Sequence, residues 1–198
     1  LANPFSCRIY DIIWKNAGYE PEAEIKTPKS IQVMGFSLGD ILNDKRETAV
    51  AYRKDDRIQV LDANGKELWR SSDTYGGSNL YSIGEKERRE QVQNAIYYPM
   101  RLVVADSDGD GETEVIAVKN YDVARGHLEQ FRKYTNAHLE SMSWDGLGLN
   151  TRWKTRKISG FIRDYTLGDF DNDGTQDSTE QNPSYTYTTP GVYTVTLT

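Results

Sequence analysis

An acidic loop that recurs between apolar segments is the feature that most constrains how this chain folds. The stretch DSDGDGETEVIAV begins at Asp106, and DFDNDGTQD begins at Asp169, 63 residues later. A degenerate copy, DILNDKRETAVAY, begins at Asp40, 66 residues before Asp106. Self-similarity at a nearly fixed period indicates a repeat architecture in which each repeat is one supersecondary unit.

The segments around the loops repeat as well. An apolar strand is predicted before each loop and another after the first two loops. These strands are 31–38, 101–105 and 162–167 before the loops, and 48–53 and 114–119 after them. A hairpin follows in both complete copies, with a type I′ turn expected at Asn64-Gly65 and a turn at Asp145-Gly146. The unit is therefore strand, acidic loop, strand, strand, turn, strand, and four strands per unit is how a propeller blade is built.

Two segments interrupt this pattern. Residues 84–96 and 125–139 are charged and helix-permissive, so we interpret them as short helical insertions between strands. Both histidines, His127 and His138, fall in the second insertion and are expected at the surface. No catalytic or ligand pattern accompanies them, and the usual nucleophile, phosphate-loop and zinc-protease motifs are missing from the sequence. We therefore expect a protein that is not an enzyme.

The composition changes near residues 178–182. The last segment alternates Tyr, Thr and Val around Pro190-Gly191, which predicts a β-hairpin. The predicted organisation is an N-terminal strand or linker segment, a run of repeats and a C-terminal tail. The N-terminal segment covers residues 1–30. The repeats cover 31–177, divided at about 31–100, 101–161 and a partial repeat at 162–177, and the tail covers 178–198.

The alternating acids of the loops predict calcium sites. Ca²⁺ takes six to eight oxygen ligands from carboxylates and carbonyls, and a glycine at the sixth place permits the sharp bend. At the first site the expected ligands are the carboxylates of Asp106, Asp108, Asp110 and Glu114 and the backbone carbonyl of Glu112. At the second site they are the carboxylates of Asp169, Asp171, Asp173 and Asp177 and the backbone carbonyl of Thr175. In the Asp40 copy, Leu42 replaces the acid at place three, Lys45 the glycine at place six and Thr48 the ligand at place nine. We therefore expect no metal there.

Residues 169–180 also match the twelve-place calcium loop of an EF-hand. An EF-hand requires a helix on each side and a bidentate Glu at place twelve, which Glu180 satisfies by spacing. However, Pro183 and a β-rich tail follow at once, so no exiting helix is expected. In the Asp106 loop, place twelve is Ala117 within a predicted strand. The ligand set that the two loops share ends at place nine, and the EF-hand interpretation is rejected.

A D-x-D-x-D-G-x-x-D/E loop between strands, repeated at this period, resembles the FG-GAP/VCBS repeat. The resemblance covers about residues 31–177 and is most specific in the two intact loops; residues 143–174 look particularly like bacterial VCBS repeat proteins. It implies an all-β fold, a partial β-propeller of about three FG-GAP/VCBS-type blades with about two calcium sites, from an extracellular, cell-surface or periplasmic protein. Residues 178–198 are similar to the end of a PKD domain, an immunoglobulin-like sandwich of secreted proteins.

Charge and composition limit the classes of partner. The chain has 24 basic and 30 acidic residues, and nine of those acids lie in the two intact loops. The acidity is thus concentrated at specific sites, which favours a bound cation and argues against nucleic acid as the main partner. No apolar run is long enough to span a membrane. The single Cys7 excludes an intrachain disulfide.

The leading hypothesis is a non-catalytic, calcium-stabilised module for adhesion, ligand binding or surface scaffolding, with a protein or glycan as ligand. A glycan would use exposed aromatic side chains such as Trp144 and Tyr187, whereas Trp69 and Trp153 are expected in the core. The alternative is a structural subunit of an extracellular filament or coat that self-assembles by exchanging β-strands, because incomplete β-modules leave strand edges open to other chains.

Overall fold

Antiparallel β-strands build the chain wherever the computed structural model describes it, in residues 8–28, 31–83, 95–123 and 132–168. In these ranges the only helical element is a single 3-10 turn at Val33–Gly35, and no helix is long and apolar enough to cross a membrane. The predicted all-β class is confirmed.

Within the described residues, thirteen strands form two larger sheets and two separate hairpins. In chain order they are β1 (Ile9–Lys15), β2 (Gly18–Ile25), β3 (Phe36–Gly39), β4 (Thr48–Tyr52), β5 (Ile58–Leu61), β6 (Glu67–Arg70), β7 (Tyr81–Ile83), β8 (Ala95–Tyr97), β9 (Leu102–Ala105), β10 (Glu114–Asp122), β11 (Tyr134–Trp144), β12 (Leu149–Lys154) and β13 (Ile158–Ser159).

The two larger sheets repeat one plan. Their strand orders are β3-β4-β5-β6 and β9-β10-β11-β12, with β13 also pairing with β11. In each sheet the acidic loop joins the first two strands, and the pairing closes the loop at equivalent positions, Gly39 with Thr48 and Ala105 with Glu114. The predicted four-stranded unit is therefore present twice. Within the described residues no sheet closes on itself.

Burial of both faces explains the apolar runs of the central strands. One face of the β3–β6 sheet, including Val50 and Val60, packs on Val115 and Met142 of the second sheet. Its other face packs through Ala51 and its neighbours against Ile9 and Ile31. Strands covered on both faces are continuously apolar rather than alternating, and all five residues of β4 are buried.

The turn between β5 and β6 differs from the prediction. A type I′ turn requires positive φ at both central residues, but in this turn only Gly65 has one, at 77°. The Gly65 N–H donates to the carbonyl of Asp62, whose carboxylate accepts from the N–H groups of Asn64 and Lys66. Asp62 thus organises a longer turn, and the β5–β6 register shifts beside it.

Two further predictions are corrected by the strand assignments. Residues 134–139 of the predicted second insertion belong to β11, and residues 95 and 96 of the first belong to β8. The polar residues of β11 make it look like a solvent-exposed segment in the sequence. In the structure several of them are buried in one cluster, described below. Residues 162–167, predicted as a strand, form none. Residues 84–94 and 125–131 of the predicted insertions, Cys7, the last acidic loop and the predicted tail hairpin lie outside the described residues.

The β1–β2 hairpin turns through Asn16 and Ala17, whose φ angles are 51° and 62°. This is the pattern of a type I′ turn, and glycine is the residue that favours it at the second position. An alanine in the left-handed region is strained by a clash between its Cβ and the backbone, at a cost of about 1 kcal/mol. The hairpin therefore contains a removable source of strain.

We expect Ala17→Gly to stabilise the β1–β2 hairpin by about 1 kcal/mol, because glycine occupies the left-handed region without strain. Amide hydrogen exchange across residues 9–25 should slow by about fivefold. The matched control is Ala23→Gly in the exposed middle of β2, which should accelerate exchange, because glycine weakens a strand interior. Faster exchange in Ala17→Gly would contradict the assigned turn.

Candidate metal site

The loop after β9 is curled by its first acid. Asp106 Oδ1 accepts a hydrogen bond of 2.7 Å from the Gly109 N–H, and its Oδ2 accepts one of 2.9 Å from the Gly111 N–H. Both glycines have positive φ, 75° and 87°, which a side chain would oppose. Glycine at the predicted bend therefore adopts this backbone conformation without strain.

Three carboxylates converge at the mouth of this loop. One oxygen each from Asp106, Asp108 and Glu114 lies within 4.8 Å of the others. Asp106 and Asp108 are exposed, whereas Glu114, the first residue of β10, is fully buried. The β9–β10 register places Glu114 opposite Ala105, directly beside the start of the loop. An all-oxygen, anionic donor set of this kind suits a hard divalent cation.

The two carboxylate oxygens of Glu114 differ in their hydrogen bonding. Its Oε2 accepts hydrogen bonds from the Ser107 N–H (2.8 Å) and the Ser107 hydroxyl (2.7 Å). Its Oε1 is buried without a hydrogen-bond partner. Burial raises the pKa of Glu114, the Ser107 bonds oppose that shift, and the charges of Asp108 and Asp110 add to it. A buried carboxylate oxygen without a partner is costly, and a cation between the three carboxylates would satisfy it.

Asp110, the predicted third carboxylate ligand, lies outside this group. Its Oδ2 accepts a hydrogen bond of 2.7 Å from Arg152 Nη2, and its Oδ1 accepts one from the Glu112 N–H. The same Arg152 nitrogen lies 3.7 Å from Asp108 Oδ2. The structure thus brings together three of the four predicted carboxylates and engages the fourth with an arginine.

The degenerate Asp40 loop keeps the curl and has a side-chain cation. Asp40 accepts hydrogen bonds from the N–H groups of Asp44 and Lys45, and Asn43 and Lys45 have positive φ at the places of Gly109 and Gly111. The guanidinium of Arg46 pairs with the Asp44 carboxylate.

The third place of the Asp40 loop is occupied by Leu42. This side chain packs against the main hydrophobic core instead of offering an oxygen. The loop keeps its backbone shape without the full set of oxygen donors, and the absence of metal at this copy stays a prediction.

The two loops also contact each other. Asn43 Oδ1 accepts a hydrogen bond of 2.7 Å from the Thr113 N–H, and Asn43 Nδ2 donates one of 3.4 Å to the Thr113 carbonyl. Thr113 immediately precedes Glu114, so the first loop anchors the second beside its buried ligand. Asn43, Ser107 and Arg152 were all missed from sequence, and no motif marks them, because their roles depend on contacts across the loop or between units.

A second cluster of ionisable groups lies in the interior around Glu140. His138 Nε2 is 2.6 Å from Glu140 Oε1, and Tyr75 donates a 3.0 Å hydrogen bond to Oε2. Lys154 and Lys119 lie 3.2 and 3.8 Å from Oε1. His138, predicted at the surface, is 2% exposed, because it belongs to β11 and not to an insertion. His127 lies outside the described residues.

The predicted glycan platform is not formed by Trp144. Trp144, like Trp69, is partly buried and packs against the main core, and Trp153 is also partly buried with its Nε1 fully covered. The core expectation agrees with this for Trp69, whereas Trp153 is not part of either hydrophobic core cluster. Tyr187 and the second acidic loop, Asp169, Asp171, Asp173, Thr175 and Asp177, lie outside the described residues.

Comparison with protein-family models, curated proteins and solved structures finds no match for this chain.

We expect Glu140→Gln to lower the free energy of unfolding by about 3 kcal/mol, because it leaves buried partners of the carboxylate uncompensated. Urea denaturation at pH 7 measures this difference. The matched control is Glu67→Gln, which removes the partly exposed Arg53–Glu67 pair and should cost under about 1 kcal/mol. Equal effects of the two substitutions would contradict a structural role for the buried cluster.

The Glu140 contribution should also depend on pH. Burial alone would raise the pKa of Glu140, but His138 and the two lysines outweigh it and hold the pKa below its ordinary value of 4.5. A lowered folded-state pKa stabilises the protein above the unfolded value, and this stabilisation is lost as pH falls through the folded value. The gap between wild type and Glu140→Gln should therefore narrow below pH 4.5. A gap that widens in acid would contradict the direction of the shift.

Proposed function

We propose that this chain is a non-catalytic calcium-binding β-module of an extracellular, cell-surface or periplasmic protein, serving adhesion, ligand binding or surface scaffolding. The ion acts as a structural staple that holds the loop between β9 and β10. A propeller of FG-GAP/VCBS-type blades, completed beyond the described strands, is the architecture that we propose for this module.

One observation carries the calcium proposal: the buried carboxylate of Glu114, which converges with those of Asp106 and Asp108, has one oxygen, Oε1, without a hydrogen-bond partner. Metal-free, the site combines an unsatisfied buried oxygen with three mutually repelling carboxylates. A divalent cation removes both costs at once. Calcium is favoured over zinc or copper because the donors are oxygens, with no Cys or His in the group.

The energetic effect of such an ion follows from linkage. A ligand that binds only the folded state stabilises it by RT ln(1 + [L]/Kd), about 2.7 kcal/mol at a hundredfold excess over Kd. Millimolar calcium outside the cell supplies that excess for sites with dissociation constants of roughly 10 μM or below. Calcium would therefore contribute a substantial fraction of the stability of a domain of this size.

Chelation is expected to lower the melting temperature, and added Ca²⁺ should restore it, because the loop loses its counter-charge without the ion. Thermal denaturation in EDTA and in excess Ca²⁺ measures the change. Identical melting temperatures under the two conditions would refute the calcium assignment.

Asp108→Ala should remove about one equivalent of bound calcium, measured by titration calorimetry. Asp171→Ala should do the same for the second loop. The matched control is Glu112→Gln, because Glu112 is expected to act through its backbone carbonyl, so its substitution should leave the stoichiometry unchanged. Loss of binding in Glu112→Gln, or none in Asp108→Ala, would contradict the ligand set.

A second candidate function is a structural subunit of an extracellular filament or coat that assembles by strand exchange. The observation that favours it is the β1–β2 hairpin. In the described part of the chain β1 pairs only with β2, whereas β5 pairs on both sides. Its outer face exposes Ile12, Trp14 and Tyr19 at 59%, 64% and 76%. Open strand edges and apolar faces of this kind are sites of strand addition.

Deleting residues 182–198 separates the two functions. If the tail is the exchanged element, the deletion should abolish assembly and leave calcium binding intact. Size-exclusion chromatography with light scattering follows the first property, and calorimetry the second. Wild-type protein that remains monomeric at all concentrations would exclude the filament function.

A further inference from the structure

The side chain of Arg152 reaches from another strand to the candidate calcium loop. Arg152 lies in β12, two strands away from the loop in the same sheet. The β11–β12 register shifts at this point: Ser141 pairs with Trp153, and Met142 pairs with Thr151. Arg152 is therefore the extra residue of a β-bulge, a feature that redirects a side chain. Here the redirected guanidinium reaches the acidic loop.

Arg152 contacts the one predicted carboxylate ligand of this loop that lies outside the three-carboxylate group. Its Nη2 donates to Asp110 Oδ2 at 2.7 Å and lies 3.7 Å from Asp108 Oδ2. Asp110 is the predicted ligand that does not join Asp106, Asp108 and Glu114. The pair is partly exposed, with 42% of the Arg152 side chain and 36% of the Asp110 side chain accessible. Such a pair is weak enough to be exchanged for a divalent ion.

The degenerate loop shows the same pairing at the same place. Asp44 stands at place five of the Asp40 loop, as Asp110 does in the Asp106 loop, and its carboxylate pairs with Arg46. In both loops a guanidinium therefore neutralises the fifth-place acid. The difference lies in the remaining donors, because only the Asp106 loop also provides Glu114, whose Oε1 is buried without a partner.

We propose that Arg152 is a built-in counter-cation of the Asp106 loop, which neutralises Asp110 in the metal-free state and is displaced when Ca²⁺ binds and recruits Asp110. This inference rests on the proposed calcium site and adds a residue that sets its affinity. Arg152 is a positioning residue, since it acts on the ion through Asp110. Its presence lowers the apparent affinity, because each binding event must break the Arg152–Asp110 pair.

The test is calcium titration by calorimetry at low ionic strength, with Asp171→Ala present throughout so that only this loop titrates. Arg152→Gln should bind Ca²⁺ about three- to fivefold more tightly than the parent, because the competing pair is removed. Arg152→Lys, which keeps the charge but loses the planar fork, should fall between the two. Arg156→Gln, which removes an equal charge from the segment just after β12, controls for long-range electrostatics and should change the affinity less than Arg152→Gln does.

Asp110→Asn makes the test specific. In that background the pair no longer exists, so Arg152→Gln should produce no more gain than Arg156→Gln does. Melting curves provide a second readout. In EDTA Arg152→Gln should melt below the parent, while its calcium-induced rise should be larger. A purely structural arginine would lower both melting temperatures equally.

The outcomes separate this inference from the calcium proposal. If the parent binds one Ca²⁺ and Arg152→Gln binds it with equal or lower affinity, the counter-cation role is overturned and the calcium site stands. If the gain persists in Asp110→Asn, the effect does not pass through Asp110 and the role is likewise overturned. If no variant binds Ca²⁺, both proposals fail.

Discussion

The pairing of the two strands that flank each acidic loop is the constraint on which the rest of this structure depends. Gly39 pairs with Thr48, and Ala105 pairs with Glu114, so the ninth place of each loop is set opposite the residue that precedes the first. This register closes the loop, starts a central strand whose first five residues are buried, and brings a side chain from the strand to the loop mouth. In the second unit that side chain is Glu114, and the candidate metal site follows from it.

The two units show how a loop can keep its shape while its donor set changes. Asp40 and Asp106 accept backbone N–H groups in nearly the same pattern, so the curl needs only the first acid and two left-handed residues. The oxygen donors that distinguish the two loops stand at places three and nine. Leu42 and Thr48 fill those places in the first unit, where Leu42 contributes to packing. The first loop then supports its neighbour through the Asn43–Thr113 contact.

The interior of the second sheet carries its own electrostatic arrangement. Glu140 is fully buried, yet it is surrounded by His138, Tyr75 and two lysines. Polar residues alternate along β11, a pattern that resembles a solvated insertion in the sequence. For this reason residues 134–139, the first part of the strand, are predicted as an insertion. A buried carboxylate with several charged and hydrogen-bonding partners is tolerated because each partner lowers the cost of its burial.

From the amino-acid sequence alone we can predict the repeat, the all-β class, the position of both complete four-stranded units and the acids of the Asp106 loop. These features are local, since they depend on apolar runs, turn residues and ligand spacing within a few residues. Contacts in the folded chain establish which acids converge, because Asp110 is turned away by Arg152 from β12, and Glu114 is positioned by strand pairing and Ser107. They also bury His138 and, among the described strands, leave β1 paired with β2 alone. Such properties depend on contacts between residues far apart in the chain, which no local pattern encodes.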